Sequence, residues 1–160
     1  MDKVRPPRLR AAIALGWFVF MILSLLGNGY APVQAAQSID LPAQSVAPGE
    51  AALTVNLELP AGCKLNQEAP STFSLESADT NVAVLDEKSA KNLPVANLPL
   101  SLTVPVKEGK TTIQVAFHLN FCDEKLRLCF LKEAVLNLPV DVRKSISNKK
   151  LTIVYKPSSN

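Results

Sequence analysis

From residue 49 onward, apolar side chains fall on every second position. Leu53, Val55, Leu57 and Leu59 alternate with Thr54, Asn56 and Glu58. Leu98, Leu100, Leu102, Val104 and Val106 repeat the alternation, as do Ile113, Val115, Phe117, Leu119 and Phe121. Ala134, Leu136, Leu138, Val140 and Val142 follow, and Leu151, Ile153 and Tyr155 close the series. A period of two is that of a strand with one face buried. Phe73 with Leu75, and Val82 with Val84, predict two shorter strands. Breakers such as Pro48-Gly49, Pro60-Ala61-Gly62, Asp79-Thr80-Asn81 and Glu108-Gly109-Lys110 separate the runs. About seven strands with closely spaced turns predict an all-β fold of two facing antiparallel sheets. No stretch sustains a helical period, and residues 87–93 offer one turn at most. Pro99, Pro105 and Pro139 lie inside apolar runs. Each removes a ladder donor, which predicts edges or bulges there.

The first 35 residues have a different pattern. Lys3, Arg5, Arg8 and Arg10 precede an uncharged run of sixteen residues, 11–26, and Val33-Gln34-Ala35 supplies small residues behind it. This is the layout of a signal peptide, with cleavage expected after Ala35. The alternative is a retained anchor, but a spanning helix needs about 20 apolar residues. The expected organisation is a signal peptide at 1–35, a linker or edge strand at 36–48, a β-sandwich at 49–156 and a polar tail at 157–160. Export to the periplasm, or to a thylakoid lumen or the extracellular space, follows.

The leader also accounts for the charge. The chain carries 17 basic and 14 acidic residues, net +3. Four of the basic residues and one acidic residue lie in 1–35, leaving thirteen of each. A mature chain without net charge has no field to steer it onto nucleic acid or anionic lipid. Neither is expected as a partner, and no membrane is expected for the mature form.

Three cysteines remain, Cys63, Cys122 and Cys129. Export puts them where disulfides persist. Residues 115–142 hold a segment that reads as a β-hairpin with a testable register. If Cys122 opposes Cys129, then Phe121 meets Phe130, Phe117 meets Ala134, Val115 meets Leu136 and Ile113 meets Leu138, all on one face. The other face takes Cys122 with Cys129, Asn120 with Leu131, His118 with Glu133 and Gln114 with Asn137. Lys132, opposite Leu119, is the exception. A slip of one residue would mix the two sets. The turn at 124–127 holds no Gly or Asn and argues weakly for a hairpin. Opposed residues in an antiparallel pair lie about 4.5–5.5 Å apart at Cα, which suits a bridge. Such a bridge closes a short loop and serves either as a staple or as a reducible redox pair. Asp123 and Glu124 disfavour a thiolate at Cys122, and Arg127 favours one at Cys129.

Leu59-Pro60-Ala61-Gly62, then Asn66-Gln67-Glu68-Ala69-Pro70-Ser71, then Phe121-Cys122 and Leu128-Cys129-Phe130 resemble the immunoglobulin-like domain at the N-terminus of the thiol:disulfide interchange protein DsbD. The related β-domain that ends thioredoxin-like NHL-repeat proteins is similar as well. The resemblance covers about residues 45–142. It implies an immunoglobulin-like sandwich. It also implies that Cys122 and Cys129 cycle between dithiol and disulfide, exchanging electrons with thioredoxin-like or other exported proteins. Six residues separate the two cysteines here, slightly more than in that domain, and its shielding aromatic loop has no assigned counterpart. No transmembrane or thioredoxin domain is expected beside the sandwich, so the electron donor is expected on another chain. The sandwich differs from an antibody domain, since residues 36–160 hold no Trp and Cys122 and Cys129 are too close in sequence to join two sheets.

The remaining chemistry is sparse. Cys63 is expected as a small core residue rather than a resolving thiol. His118, the sole histidine, is expected to form a surface pair with Glu133. Together with the three cysteines it has zinc-ligand types, but export disfavours free thiols, and neither metal nor cofactor is expected. No nucleophile motif and no Gly-rich phosphate loop occurs. Two functions fit: a thiol–disulfide exchange module, or a non-catalytic structural or interaction sandwich with a stabilising bridge.

Overall fold

The computed structural model describes residues 36–86 and 90–158. The expected signal peptide lies outside these, as do part of the expected helical turn at 87–93 and the last two residues. Among the described residues no helix is long and apolar enough to cross a membrane.

Among the described residues, ten strands form two facing sheets. They are β1 (Gln37–Asp40), β2 (Gln44–Val46), β3 (Gly49–Leu57), β4 (Cys63–Leu65), β5 (Thr72–Ser77), β6 (Leu93–Pro94), β7 (Leu100–Val106), β8 (Gly109–Asp123), β9 (Leu128–Val142) and β10 (Lys150–Tyr155). The larger sheet has the order β1-β9-β8-β5-β6, with β2 also on β9 and β4 also on β8; the smaller is β10-β3-β7. Most pairings are antiparallel, while β1 and β2 run parallel to β9, and β10 runs parallel to β3.

The alternating residues become the core. Ile113, Val115, Phe117, Leu119 and Phe121 of β8 and Ala134, Leu136, Leu138, Val140 and Val142 of β9 are all buried. They face Ala51, Leu53 and Val55 of β3, Val104 and Val106 of β7, and Leu151, Ile153 and Tyr155 of β10. The Phe117 and Tyr155 rings meet across the two layers with centroids 5.1 Å apart. Burying such side chains contributes about 1.5–3 kcal/mol each, which is the main force holding the sheets together.

The prolines are accommodated in two ways. Pro105 lies on β7, an edge strand. Pro139 lies on β9, which has neighbours on both sides. Leu41 N–H donates to Asn137 O, so the odd-numbered peptide groups of β9 point toward β1 and β2. The missing donor of Pro139 therefore faces the break between β1 and β2, where Pro42 interrupts the edge. Val82 and Val84 form no strand. Asp79 accepts from Asn81 N–H through its side chain and from Val82 and Ala83 N–H through its carbonyl, which winds the chain into a turn. Only the bridge Ala83–Val106 remains.

Two of the crossings between the sheets fall at glycines with positive φ, Gly49 (116°) and Gly109 (147°). At Gly109 the crossing from β7 to β8 takes two residues, and an added Cβ would meet Val82 Cγ2 at 2.9 Å. We expect Gly109→Ala to destabilise the fold by about 1–3 kcal/mol, combining backbone strain with overpacking. Chemical denaturation checks this, and an unchanged midpoint would contradict it.

A disulfide at the turn end of the long hairpin

β8 and β9 are fifteen residues each, about 50 Å at strand rise. Full burial on β8 ends at Phe121, and its partner Phe130 is half-buried. The last turn of the hairpin stands beyond the core. All fifteen pairs follow one register, from Gly109 with Val142 to Asp123 with Leu128, and Cys122 opposes Cys129. The two sulfurs are bonded, at a Cα separation of 3.9 Å. Asn137 and Cys129 have the same parity on β9, so Cys122–Cys129 is a pair without mutual backbone hydrogen bonds, the kind whose side chains lie closer.

The turn chemistry is supplied by Asp123. Its Oδ1 accepts from the amides of Lys125 (2.8 Å) and Leu126 (3.0 Å), which replaces a backbone turn bond. Arg127 then takes a left-handed conformation, φ 53°. The loop holds no Gly or Asn, and the aspartate at its start is the sequence signal for this turn.

The two halves of the bridge differ in exposure, and the sheet order explains why. On the β8 side, β4 pairs with the tip: Cys63 opposes Asp123, Lys64 opposes Cys122 and Leu65 opposes Phe121. Cys122 is therefore flanked on both sides and half-buried. On the β9 side, β1 begins pairing only at Ala134. Among the described residues, no strand covers the outer edge of β9 from Leu128 to Leu131, and Cys129 is exposed. Near it in the chain Leu126, Leu128 and Leu131 are 60%, 55% and 56% exposed, with Leu131 on the face of the bridge, Leu128 opposing Asp123 on the other face and Leu126 in the turn. These are three of the four large hydrophobics left in solvent among the described residues, so exposed apolar side chains cluster at this end of the hairpin. Lys132, the exception in the register, is half-buried at the rim of the core.

The other candidate residues are not brought to the bridge. Cys63 shares the face of Asp123 and Phe121, opposite to the face carrying Cys122 and Cys129. It is a free thiol packed at the margin of the core. Burial, with the Asp123 carboxylate adding to it, pushes this thiol above its ordinary pKa. A thiol held protonated is a poor nucleophile. His118 does share the face of the bridge, but it lies four residues along β8, about 13 Å away at strand rise. Its Nδ1 meets Glu133 Oε1 at 3.0 Å, and both side chains are nearly half exposed. Cys63, His118, Cys122 and Cys129 thus do not converge on a point where a metal could bind.

No family model matches the chain. A curated protein to which it is similar is NHL repeat-containing protein 2 of Gallus gallus, 25% identical over 115 residues. The match takes in 68% of this chain and 16% of that protein. The chain therefore corresponds to a small part of that relative's length.

Proposed function

We propose that the chain is an exported thiol–disulfide exchange module. In this reading the Cys122–Cys129 pair passes electrons to or from exported proteins of the thioredoxin-like kind. The observation that carries the reading is the setting of the bridge. It sits past the core, with Cys129 exposed on an uncovered edge and three exposed leucines at the same end of the hairpin, of which Leu131 shares its face. Staples need no access, whereas exchange requires a thiolate to reach a disulfide sulfur, and exposed bridges are the labile kind. Apolar surface beside a reactive group suits docking of another protein. The fold places little demand on the bridge, because Phe121, Phe130 and the rows below already fix the hairpin. The resemblance to the DsbD N-terminal domain points to the same two cysteines. The similarity to an NHL repeat-containing protein agrees with the related β-domain.

The test is the reduction potential of the pair, measured by equilibration in glutathione buffers with the bridge followed by thiol labelling. Exchange predicts a value of about −200 mV or higher, and a value below about −300 mV identifies a structural staple.

A further inference from the structure

Cys122 has a cation as its cross-strand neighbour. We propose that Lys64 is a positioning residue for exchange at this bridge. Its ammonium stabilises the Cys122 thiolate, so that Cys129 is the sulfur joined to the partner and Cys122 the one that leaves and resolves. The proposal rests on the exchange reading above.

The sheet carries the argument. Lys64 opposes Cys122 on β4, and opposed residues share a face with Cβ atoms about 5 Å apart. One row across the outer face therefore reads Lys64, Cys122, Cys129. The charged groups around Cys122 can be assigned by element. β4 contributes Lys64, while Cys63 lies on the other face. β8 contributes Asp123, whose Oδ1 is occupied by the turn amides. The turn contributes Glu124, paired with Lys64 Nζ at 2.7 Å, and the exposed Lys125 and Arg127. On β9 the next residue of the same face is Leu131, with Glu133 beyond it. Lys64 is thus the cation fixed by the ladder beside Cys122, already held in place by Glu124. The expectation of a lower-pKa sulfur at Cys129 rests on Arg127, which sits in a left-handed loop position outside the strand alternation. A three-residue strand such as β4 gives no periodic signal, so Lys64 was not recognisable from sequence.

Access and charge then divide the work. With the bridge oxidised, one thiolate of a partner dithiol attacks the exposed Cys129 Sγ. A partner–Cys129 bond forms, the Cys122–Cys129 bond breaks, and its electron pair leaves on Cys122 Sγ beside the Lys64 ammonium. The partner's second thiolate then attacks its own sulfur in the mixed disulfide and expels Cys129. The partner is oxidised to a disulfide, the Cys122–Cys129 pair is reduced by two electrons, and the two protons lost by the partner's thiols end on Cys122 and Cys129. In reverse, Cys129 attacks a partner disulfide and the Cys122 thiolate resolves the adduct. A lower pKa at Cys122 helps it leave in the first direction and raises its thiolate fraction in the second.

The test needs no partner, so its outcome is separate from that of the exchange reading. In a Cys63→Ser, Cys129→Ser chain, the Cys122 thiol is titrated by its ultraviolet thiolate absorbance. Lys64→Met is expected to raise its pKa by about half a unit or more, from a charge at this separation in high dielectric. Lys64→Arg should keep the value low, and Glu124→Gln should lower it further. The same Lys64→Met change in a Cys63→Ser, Cys122→Ser chain should move the Cys129 thiol less. An unmoved Cys122 pKa, or equal shifts at both sulfurs, overturns the role of Lys64. A selective shift at Cys122 alongside a reduction potential below about −300 mV keeps the electrostatic assignment and removes the exchange function instead.

Discussion

Phe121→Ala should lower the stability of the protein by about 3–5 kcal/mol, the usual loss for a buried aromatic ring. Phe121 is fully buried. Its ring lies 5.4 Å from that of Phe130, and Leu65 of β4 opposes it on the other side. It closes the core just below the bridge. Truncation there opens a cavity in contact with three strands, and the hairpin end and β4 should loosen together. Domains of this size have about 5–15 kcal/mol in total, so the loss is a large fraction. Denaturant unfolding checks the magnitude. Leu131→Ala on the exposed outer face is the control, and it should stay within about 0.5 kcal/mol. Similar costs for the two variants would mean that the hairpin face has been assigned wrongly.

The second large effect concerns covalent trapping. In the exchange reading, a Cys122→Ser chain keeps the exposed Cys129 and lacks the resolving sulfur. It should accumulate a mixed disulfide with an exported thioredoxin-like protein, visible as a thiol-sensitive band on a non-reducing gel. Cys129→Ser leaves only the half-buried Cys122 and should trap much less. Cys63→Ser should trap nothing, because the Cys122–Cys129 bridge is intact and Cys63 faces the other way. The staple reading predicts something different. Neither bridge variant would form an adduct, and both would lose at most about 2.5 kcal/mol, the chain-entropy value for so short a loop. Gel and melt together separate the two.

The hairpin was legible in the sequence because its information is local and redundant. Every second residue from Ile113 to Phe121 and from Ala134 to Val142 is apolar or small, and the register that opposes Cys122 to Cys129 puts both sets on one side, where a slip of one residue would separate them. That register brought Cys122 to Cys129, His118 to Glu133 and Phe121 to Phe130, as observed. The alternation likewise determined an all-β fold of two layers, since strands with one apolar face must bury it against another such face. Tertiary structure decided the neighbours of the hairpin. β4 is three residues long and has no period to read; it pairs with the tip because Leu65 finds the core beside Phe121. β1 and β2 lie along β9 in parallel, a pairing that local turns do not encode. These long-range choices leave Cys129 on an uncovered edge and set Lys64 against Cys122. The sequence by itself therefore determined which two sulfurs meet. Only the packing of distant strands decided which sulfur solvent reaches and which charge stands beside the other, because both depend on residues that meet through the sheet rather than along the chain.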